Sequence, residues 1–355
     1  MTSQLALPSN VRGMTLDSRL VRPGWLYAAL AGTSTHGANF VGQALEAGAV
    51  AVLTDPAGKL IAGELPVPVL LADNPRAALA RLAADLYRHP AQELLMLAVT
   101  GTAGKTSTVA MLSAGLAGAG HSVGTIGTLG FFIGSDAVET DRSTVTTPES
   151  PDIQSLLAQM QADGVRAVAM EVTSHALAQH RADAIDFAVA GFTNLGHDHL
   201  DYHPSVEDYY QAKARLFTPE HTKAAVINID DPFGLRLATE IASRSEIRLA
   251  KVSMTQAADY CLEVLGTDAA GRRALRLRTP VGSHEFTLGL LGEFNARNAL
   301  LAAAMLDQAG IDLDQALPAL DDAYLPGRMQ RVDLGEDAPY LVVDFAHTPE
   351  TVRAA

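Results

Sequence analysis

Residues 94–107 read Leu-Leu-Met-Leu-Ala-Val-Thr-Gly-Thr-Ala-Gly-Lys-Thr-Ser, and this stretch decides the fold. Leu94–Thr100 is a continuous apolar run of strand length, the pattern of a strand buried on both faces of a parallel sheet. A glycine-rich turn follows, and beyond it Val109, Leu112 and Leu116 recur at helical spacing. Strand, Gly-Lys-Thr turn and helix together form the context of a phosphate-binding loop. Glycines let the backbone wrap an anion, and amides at the helix N-terminus face it. Lys105 reaches the β/γ oxygens, and the Thr106 hydroxyl suits Mg²⁺. The usual pattern carries a glycine five positions before Gly104; Val99 stands there and the first glycine is Gly101, so the loop is a variant. The plain alternative is a tight turn with a solvated lysine.

Working outward, Val165–Val172, Phe187–Thr193 and Ala224–Ile229 are further apolar runs with helical segments between them, which predicts repeated βα units. Ala299–Leu306 reads as a buried helix, and Glu207–Phe217 as a helix carrying Lys213. Upstream, Ala47–Thr54 and Pro66–Ala72 are predicted strands of a small α/β unit. Asn74 is a good N-cap with Pro75 at the first helical position, and Leu79, Leu82 and Leu86 continue that helix up to Pro90. Pro326-Gly327 marks a second boundary, and Leu341–Phe345 opens one more strand.

Composition agrees with layered α/β structure. The 355 residues are 48% hydrophobic and 19% charged, so a large core is available and global disorder is excluded. At roughly 150 residues per domain the length predicts two or three domains. A net charge of −14 argues against general binding to nucleic acid or to an anionic membrane. The single cysteine makes no internal disulfide and no cysteine-based metal site. With no leader pattern and no membrane-length apolar run, a cytoplasmic protein is expected.

Two further segments carry chemistry. Glu171 ends the Val-Ala-Met-Glu-Val strand, where an open parallel sheet places its ligand crevice, and a carboxylate there is a natural Mg²⁺ ligand. The alternative is a surface acid. Asn194–His203 reads NLGHDHLDYH, with three histidines and two aspartates within seven residues. Zinc would need three or four ligands converging on one point. His197 and His199 project apart in an extended segment, and a phosphate loop implies Mg²⁺–nucleotide; a solvated polar loop also stays open. Taken alone, Lys213 is an ordinary lysine.

These motifs, taken in order, resemble the Mur ligase family: TGTAGKTS (100–107), TTPES (146–150), MEVTSHAL (170–177), FTNLGHDHLDYH (192–203), YYQAKARLF (209–217), GEFNARNALLAA (292–303), LPGRMQRV (325–332) and VVDFAHTPE (342–350). The match is strongest with the branch that adds the third peptide residue to UDP-N-acetylmuramoyl-L-alanyl-D-glutamate. LDSR (16–19), residues 23–37 and residues 43–53 resemble its uridine-binding domain. The resemblance implies three segments: a UDP-precursor-binding domain over 1–90, a central P-loop ATPase domain with a mostly parallel sheet over 91–325, and from 326 to 355 the start of a truncated third α/β domain.

The same resemblance implies roles. Gly101, Thr102, Ala103, Gly104, Lys105, Thr106 and Ser107 would hold the ATP phosphates. Asn295 and Asn298 would meet the adenine, Asp344 the ribose and Arg328 the phosphates. Thr106, Glu171, His199 and Lys213 would ligate two Mg²⁺, Lys213 as a CO₂-derived carbamate. Leu16, Ser18 and Thr33, Ser34 and Thr35 match uracil-side contacts. Thr146, Thr147, Thr173, Gln179 and Arg181 match contacts to the muramoyl dipeptide. The implied reaction is ATP-dependent amide formation with meso-diaminopimelate or L-lysine through an acyl phosphate, in a monomer, with Lys105, Lys213, Arg328 and His199 as catalytic groups.

Three departures qualify this. Ala103 replaces the usual loop asparagine, Thr173 replaces a serine, and Gly196-His197 replaces a Ser-Arg type pair. Asp73-Asn74-Pro75-Arg76 spells DNPR, the family's diaminopimelate-selecting motif, yet it lies in the first domain, where a helix cap explains it. The strand at Leu341–Phe345 is expected to lack a sheet to join. A catalytically incomplete binder of UDP-muramoyl-dipeptide and ATP, another P-loop kinase or NTPase, and a zinc hydrolase are the competing classes.

Overall fold

The computed structural model describes residues 5–139, 145–244, 246–269, 271–323, 325–332, 341–346 and 352–353. The end of the VVDFAHTPE motif, residues 347–350, lies outside them. The chain divides into two compact units.

The first unit comprises residues 1–93, 148–159 and 178–185. Its elements are β1 (Gly13–Thr15), β2 (Trp25–Ala28), α1 (Val41–Glu46), β3 (Ala49–Thr54), α2 (Pro56–Ala62), β4 (Val69–Leu71) and α3 (Pro75–Leu86). The four strands form one parallel sheet in the order β1-β2-β3-β4. The two-residue period of a strand sends successive side chains to opposite faces. Leu26 and Leu53 therefore enter one buried cluster with Met14, Leu79 and Leu82, and Tyr27 and Val52 enter another with Val41 and Ala44. Both predicted strands are shorter than their apolar runs. Ala47 is the C-cap of α1, and Pro66 and Pro68 lack the amide a ladder needs. Helix α3 starts as expected: Asn74 Oδ1 accepts from Ala77 N at 3.1 Å, with Pro75 in the first turn.

The second unit comprises residues 94–147, 160–177 and 186–355. In chain order the remaining elements begin with β5 (Leu95–Thr100), α4 (Lys105–Gly118), β6 (Val123–Gly127), β7 (Gly130–Ile133) and β8 (Asp136–Ala137). Then come α5 (Ser150–Ala162), β9 (Ala167–Glu171), α6 (Ser174–Ala178), β10 (Val189–Phe192), α7 (Val206–Ala214) and β11 (Ala224–Asn228). The last group is α8 (Pro232–Arg244), β12 (Arg248–Ser253), β13 (Tyr260–Thr267), β14 (Arg273–Thr279), β15 (Gly282–Leu288), α9 (Glu293–Gln308), α10 (Leu313–Ala319), β16 (Gln330–Val332) and β17 (Leu341–Val343).

One sheet runs β15-β14-β13-β12-β11-β10-β5-β9-β6-β7-β8. Its centre, from β12 to β6, is parallel, as the buried apolar runs predicted. Strand β5 lies between β9 and β10, and the chain leaves it in opposite directions. That is a topological switch point, where open α/β sheets bind ligands at strand carboxyl ends.

Antiparallel hairpins extend both edges, outside the runs from which βα units were expected. The signal was present in β14, where Leu275 and Leu277 are fully buried and alternate with Arg276 and Arg278. Helix α9 is the main buried helix; burying each of Leu300, Leu301 and Leu306 contributes about 1.5–3 kcal/mol. The helix predicted over 207–217 ends at Ala214 and tightens into a 3₁₀ turn over Arg215–Phe217. The strand at Leu341 does find a partner: β17 pairs antiparallel with β16, correcting the expectation of an unpaired edge. Phe345 N, just past β17, is bonded to Gly327 O, just before β16, at 2.8 Å.

Candidate active site

The carboxyl ends of β5, β9, β10 and β11 carry Thr100, Glu171, Phe192 and Asn228, and the loops that leave these ends build the site. The loop 101–104 is fastened to the loop after β10. Thr102 N donates to Asn194 O at 2.9 Å, and Ala103 N donates to Asn194 Oδ1 at 3.0 Å. Thr193 Oγ1 and Asn194 Nδ2 donate to Ala103 O at 2.7 and 3.2 Å. Two amides of the expected anion cradle are thus engaged by Asn194. The amides heading α4, from Gly104 onward, are those a helix N-terminus directs toward an anion. Gly101 has φ +148° and Gly104 φ +87°; a Cβ would lie 1.8 Å from Thr193 Oγ1 at the first and 2.4 Å from Asn298 Oδ1 at the second. Both glycines are required by backbone conformation and by close approach.

Lys105 folds over its own loop, with Nζ donating to Gly101 O at 2.9 Å and Thr102 O at 3.0 Å. Lys213, 1% exposed, donates to the same Gly101 O at 2.8 Å. Its Nζ also sits 4.5 Å from the centre of the Tyr209 ring. Burial drives the Lys213 ammonium well below its usual range, and the Lys105 charge pushes the same way. Burial lowers Lys105 too, against the pull of Glu171 and Asp198 and with a push from Arg328. Sequence reasoning alone gave Lys213 no role; the structure makes it a buried amine beside the phosphate loop.

Tyr209 links these parts, its hydroxyl 3.0 Å from Thr102 Oγ1, which also accepts from Gly196 N at 2.9 Å. Burial pushes the Tyr209 phenol up to about 12. His175, His199, Tyr202, His203 and Tyr209 stack with ring centres 4.1–6.1 Å apart. His199 adopts φ +54°, and burial holds its imidazole below the usual range. Glu171, 1% exposed, accepts from Thr128 N at 2.8 Å and Thr128 Oγ1 at 3.2 Å. Thr147 Oγ1 donates to Glu171 O at 2.9 Å and accepts from Thr173 N at 3.1 Å, and Thr146 Oγ1 lies 3.1 Å from Thr128 Oγ1. Thr146, Thr147 and Thr173 therefore gather around the end of β9.

A cleft of about 180 Å³ lies beside the loop, lined by Thr193, Asn194, Asn228, Asp230, Asp231, Phe294, Arg297 and Asn298 among others. Asn298 is brought to it. Asn295 is not: it is fully buried and donates to Leu291 O at 2.7 Å. Asn194, Asn228, Asp230, Asp231 and Phe294 were missed by sequence reasoning; the acidic pair after an apolar run was the available signal. Asp231 accepts from Phe233 N, Gly234 N and Leu195 N at 3.0, 2.9 and 3.3 Å, so it caps α8 and holds the Asn194–Leu195 loop. Burial raises its carboxyl. Asp344 accepts from Met329 N and Ala346 N, both at 2.7 Å, and Arg328 stacks on Phe345 with 4.9 Å from Cζ to the ring centre. Asp344 thus closes the Gly327–Met329 turn.

In the first unit, Ser18 is buried and donates to Gln43 Oε1 at 2.8 Å. Leu16 packs against the core. Thr33, Ser34 and Thr35 lie in an exposed loop closed by Gly32 N to Thr35 O at 3.0 Å. Arg181 donates to Gln179 Oε1 at 2.7 Å and pairs with Glu149 at 3.0 Å.

The donor set fits magnesium in one way. Among the described residues no three of His, Cys, Asp and Glu form a metal-holding group. Thr106 and Glu171 supply hard oxygens, and Mg²⁺ is commonly held by one or two such ligands plus substrate phosphates rather than by an all-protein cage. The zinc arrangement, three or four converging His or Asp ligands in 197–203, is not formed.

A phosphate loop at the switch point of a largely parallel sheet defines a P-loop nucleotide-binding α/β protein. Two family descriptions match this chain: Mur ligase middle domain over residues 99–306, and Mur ligase family, catalytic domain, over residues 10–87. The chain belongs to the Mur ligase family. It is 42% identical over 359 aligned positions to the UDP-N-acetylmuramoyl-L-alanyl-D-glutamate–2,6-diaminopimelate ligase of Streptomyces coelicolor, covering 98% of this chain and 67% of the relative. It is 41% identical to the UDP-N-acetylmuramyl-tripeptide synthetase of Leifsonia xyli subsp. xyli, covering 96% and 66%. A solved structure of a UDP-N-acetylmuramoyl-L-alanyl-D-glutamate–2,6-diaminopimelate ligase superposes with a TM-score of 0.80 at 31% identity, covering 96% of this chain and 68% of that one. The chain thus spans about two thirds of the length of these relatives. No helix among the described residues is long and apolar enough to cross a membrane.

Proposed function

We propose that this chain carries the nucleotide and UDP-precursor sites of an ATP-dependent amide ligase of peptidoglycan precursor synthesis. Residues 1–90 bind the UDP precursor, 91–325 bind ATP, and 326–355 belong to a ligase domain. The observation that carries the reading is the convergence of Lys105 and Lys213 on Gly101 O, beside a helix N-terminus and a cleft lined by Asn298.

The adenine enters the cleft against Phe294 and Asn298, and the phosphates lie along Gly104–Ser107. Lys105 swings from Gly101 O to the transferred phosphoryl, and Arg328, which already acts electrostatically on Lys105, neutralises developing charge. The γ-carboxylate of the D-glutamyl substrate attacks the γ-phosphorus, the bond to the β–γ bridging oxygen breaks, and ADP leaves. The amine of meso-diaminopimelate or L-lysine then attacks the acyl carbon, giving up a proton as phosphate departs. Residues Glu171, Thr106, His199 and a carbamylated Lys213 would hold Mg²⁺, which supplies Lewis-acid neutralisation of the phosphoryl oxygens. The lowered Lys213 supports that modification, because the neutral amine is the form that adds to CO₂, releasing one proton.

The test is a ligation assay on this chain with ATP, Mg²⁺, UDP-N-acetylmuramoyl-L-alanyl-D-glutamate and either diamino acid. Tripeptide formation with equimolar ADP supports the reading. Binding of both ligands with no amide would assign the chain to the catalytically incomplete binders.

A further inference from the structure

The DNPR segment at Asp73–Arg76 has so far been only a helix start, yet its side chains reach a turn that the ligase reading assigns to substrate. Arg76 Nη1 lies 3.3 Å from Glu149 Oε2, and the other oxygen of that carboxylate lies 3.0 Å from Arg181 Nη2. Arg181 is further fixed by Gln179 Oε1, which accepts from its Nε and Nη2 at 3.2 and 2.7 Å. Arg76 and Arg181 thus meet at the single carboxylate of Glu149, with Arg181 14% and Arg76 27% exposed. A partly desolvated guanidinium held in a fixed plane is suited to a substrate carboxylate.

Between Gln179 and Arg181 stands His180, whose φ of +58° is the left-handed conformation that side chains other than glycine rarely take. Asn74 holds it. Its Oδ1 accepts from Ala77 N as the cap of α3, so its Nδ2 faces His180 Nε2 at 3.0 Å. With Nε2 accepting, Nδ1 carries the ring hydrogen and donates to Asp183 Oδ2 at 2.7 Å. One asparagine thus starts a helix with one end of its amide and fixes a strained turn with the other.

We infer that Asn74 and Arg76 are positioning residues for substrate: through His180 and Glu149 they set the Arg181 guanidinium for a carboxylate of the muramoyl dipeptide. This rests on the ligase reading, which supplies the substrate class. It separates the segment's role from that of an amino-acid selector: it acts on the acidic substrate already bound and not on the incoming diamino acid.

Asn74→Asp keeps the capping oxygen and removes the donor to His180. Arg76→Gln removes the charge that balances Glu149, and Arg76→Lys restores it. Calorimetric titration of the chain with UDP-N-acetylmuramoyl-L-alanyl-D-glutamate, and separately with UDP, reads the effect. The expected result is dipeptide-precursor binding weakened about five- to tenfold in Asn74→Asp and Arg76→Gln, partly restored in Arg76→Lys, with UDP binding and melting temperature unchanged. Equal weakening toward UDP, or unchanged precursor binding in both variants, overturns the inference while the ligase reading stands. A wild-type chain that binds UDP but gains nothing from the dipeptide overturns that reading and the inference with it.

Discussion

Lys105 and Lys213, 108 positions apart in the numbering, donate to one acceptor, the carbonyl oxygen of Gly101, at 2.9 and 2.8 Å. Two ammonium groups on one carbonyl repel each other, and desolvation disfavours charge on both. The arrangement favours a neutral Lys213.

That has a consequence for stability. An unfolded lysine titrates near ~10.4, whereas folded Lys213 titrates well below its ordinary value. Between the two values the unfolded chain holds more protons, so stability rises with pH through that window. In CO₂-free buffer the urea midpoint should climb from neutral pH toward pH ~9.5, and Lys213→Met should remove part of the climb. A Lys213→Met variant with the wild-type slope would show that this amine is not depressed.

Lys105→Ala should abolish ADP formation, since no other side chain on this loop brings a cation to the transferred phosphoryl. Lys213→Ala should be rescued in part by short-chain carboxylic acids, which restore oxygen ligands where a carbamate would stand. Steady-state ADP release reads both; full activity in either variant removes that lysine from the chemistry.

Gly104→Ala places a Cβ 2.4 Å from Asn298 Oδ1 at φ +87°. The strain is worth about 1–3 kcal/mol, and thermal melting should show the loss together with weaker ATP binding. Adding Asn298→Gly should recover the steric part of the melting temperature only, because the backbone strain remains. Gly104→Ala melting like wild type would contradict the packing described here.

Tyr209→Phe keeps the ring under Lys213 and removes the hydroxyl bonded to Thr102. The expected loss is about 0.5–1.5 kcal/mol of stability, with a raised KM for ATP. Tyr209→Leu should in addition alter Lys213, read as a change in the ¹³CO₂ carbamate signal. Identical signals in both variants would separate the ring from Lys213.

Much of this was legible in the sequence because local rules decided it. The run at Leu94–Thr100 fits a strand buried on both sides and forms one from Leu95, and Asn74-Pro75 fits a helix start and forms one. Glu171 was placed by the same logic, at a strand end. Three things resisted. Asn194 is a loop residue whose importance lies in bonds to Thr102 and Ala103, more than ninety positions away. Asn295 and Asn298 share a helix and are both buried, bonded to each other at 3.3 Å, yet only Asn298 lines the cleft. Of the edge strands only β14 alternates clearly, and β13 ends in five exposed residues, so the pattern of a one-sided strand is weak there.

In the proposed reaction the chain transfers a phosphoryl group from ATP to the carboxylate of a UDP-muramoyl dipeptide. Hydroxylamine trapping tests it most directly, since a nucleophile in solution can capture an acyl phosphate without any amino-acid site. With ATP, Mg²⁺ and UDP-N-acetylmuramoyl-L-alanyl-D-glutamate, the expected products are a UDP-muramoyl-dipeptide hydroxamate and ADP in equal amounts, both lost in Lys105→Ala. ADP released equally without the dipeptide, or with it but with no hydroxamate, would contradict it.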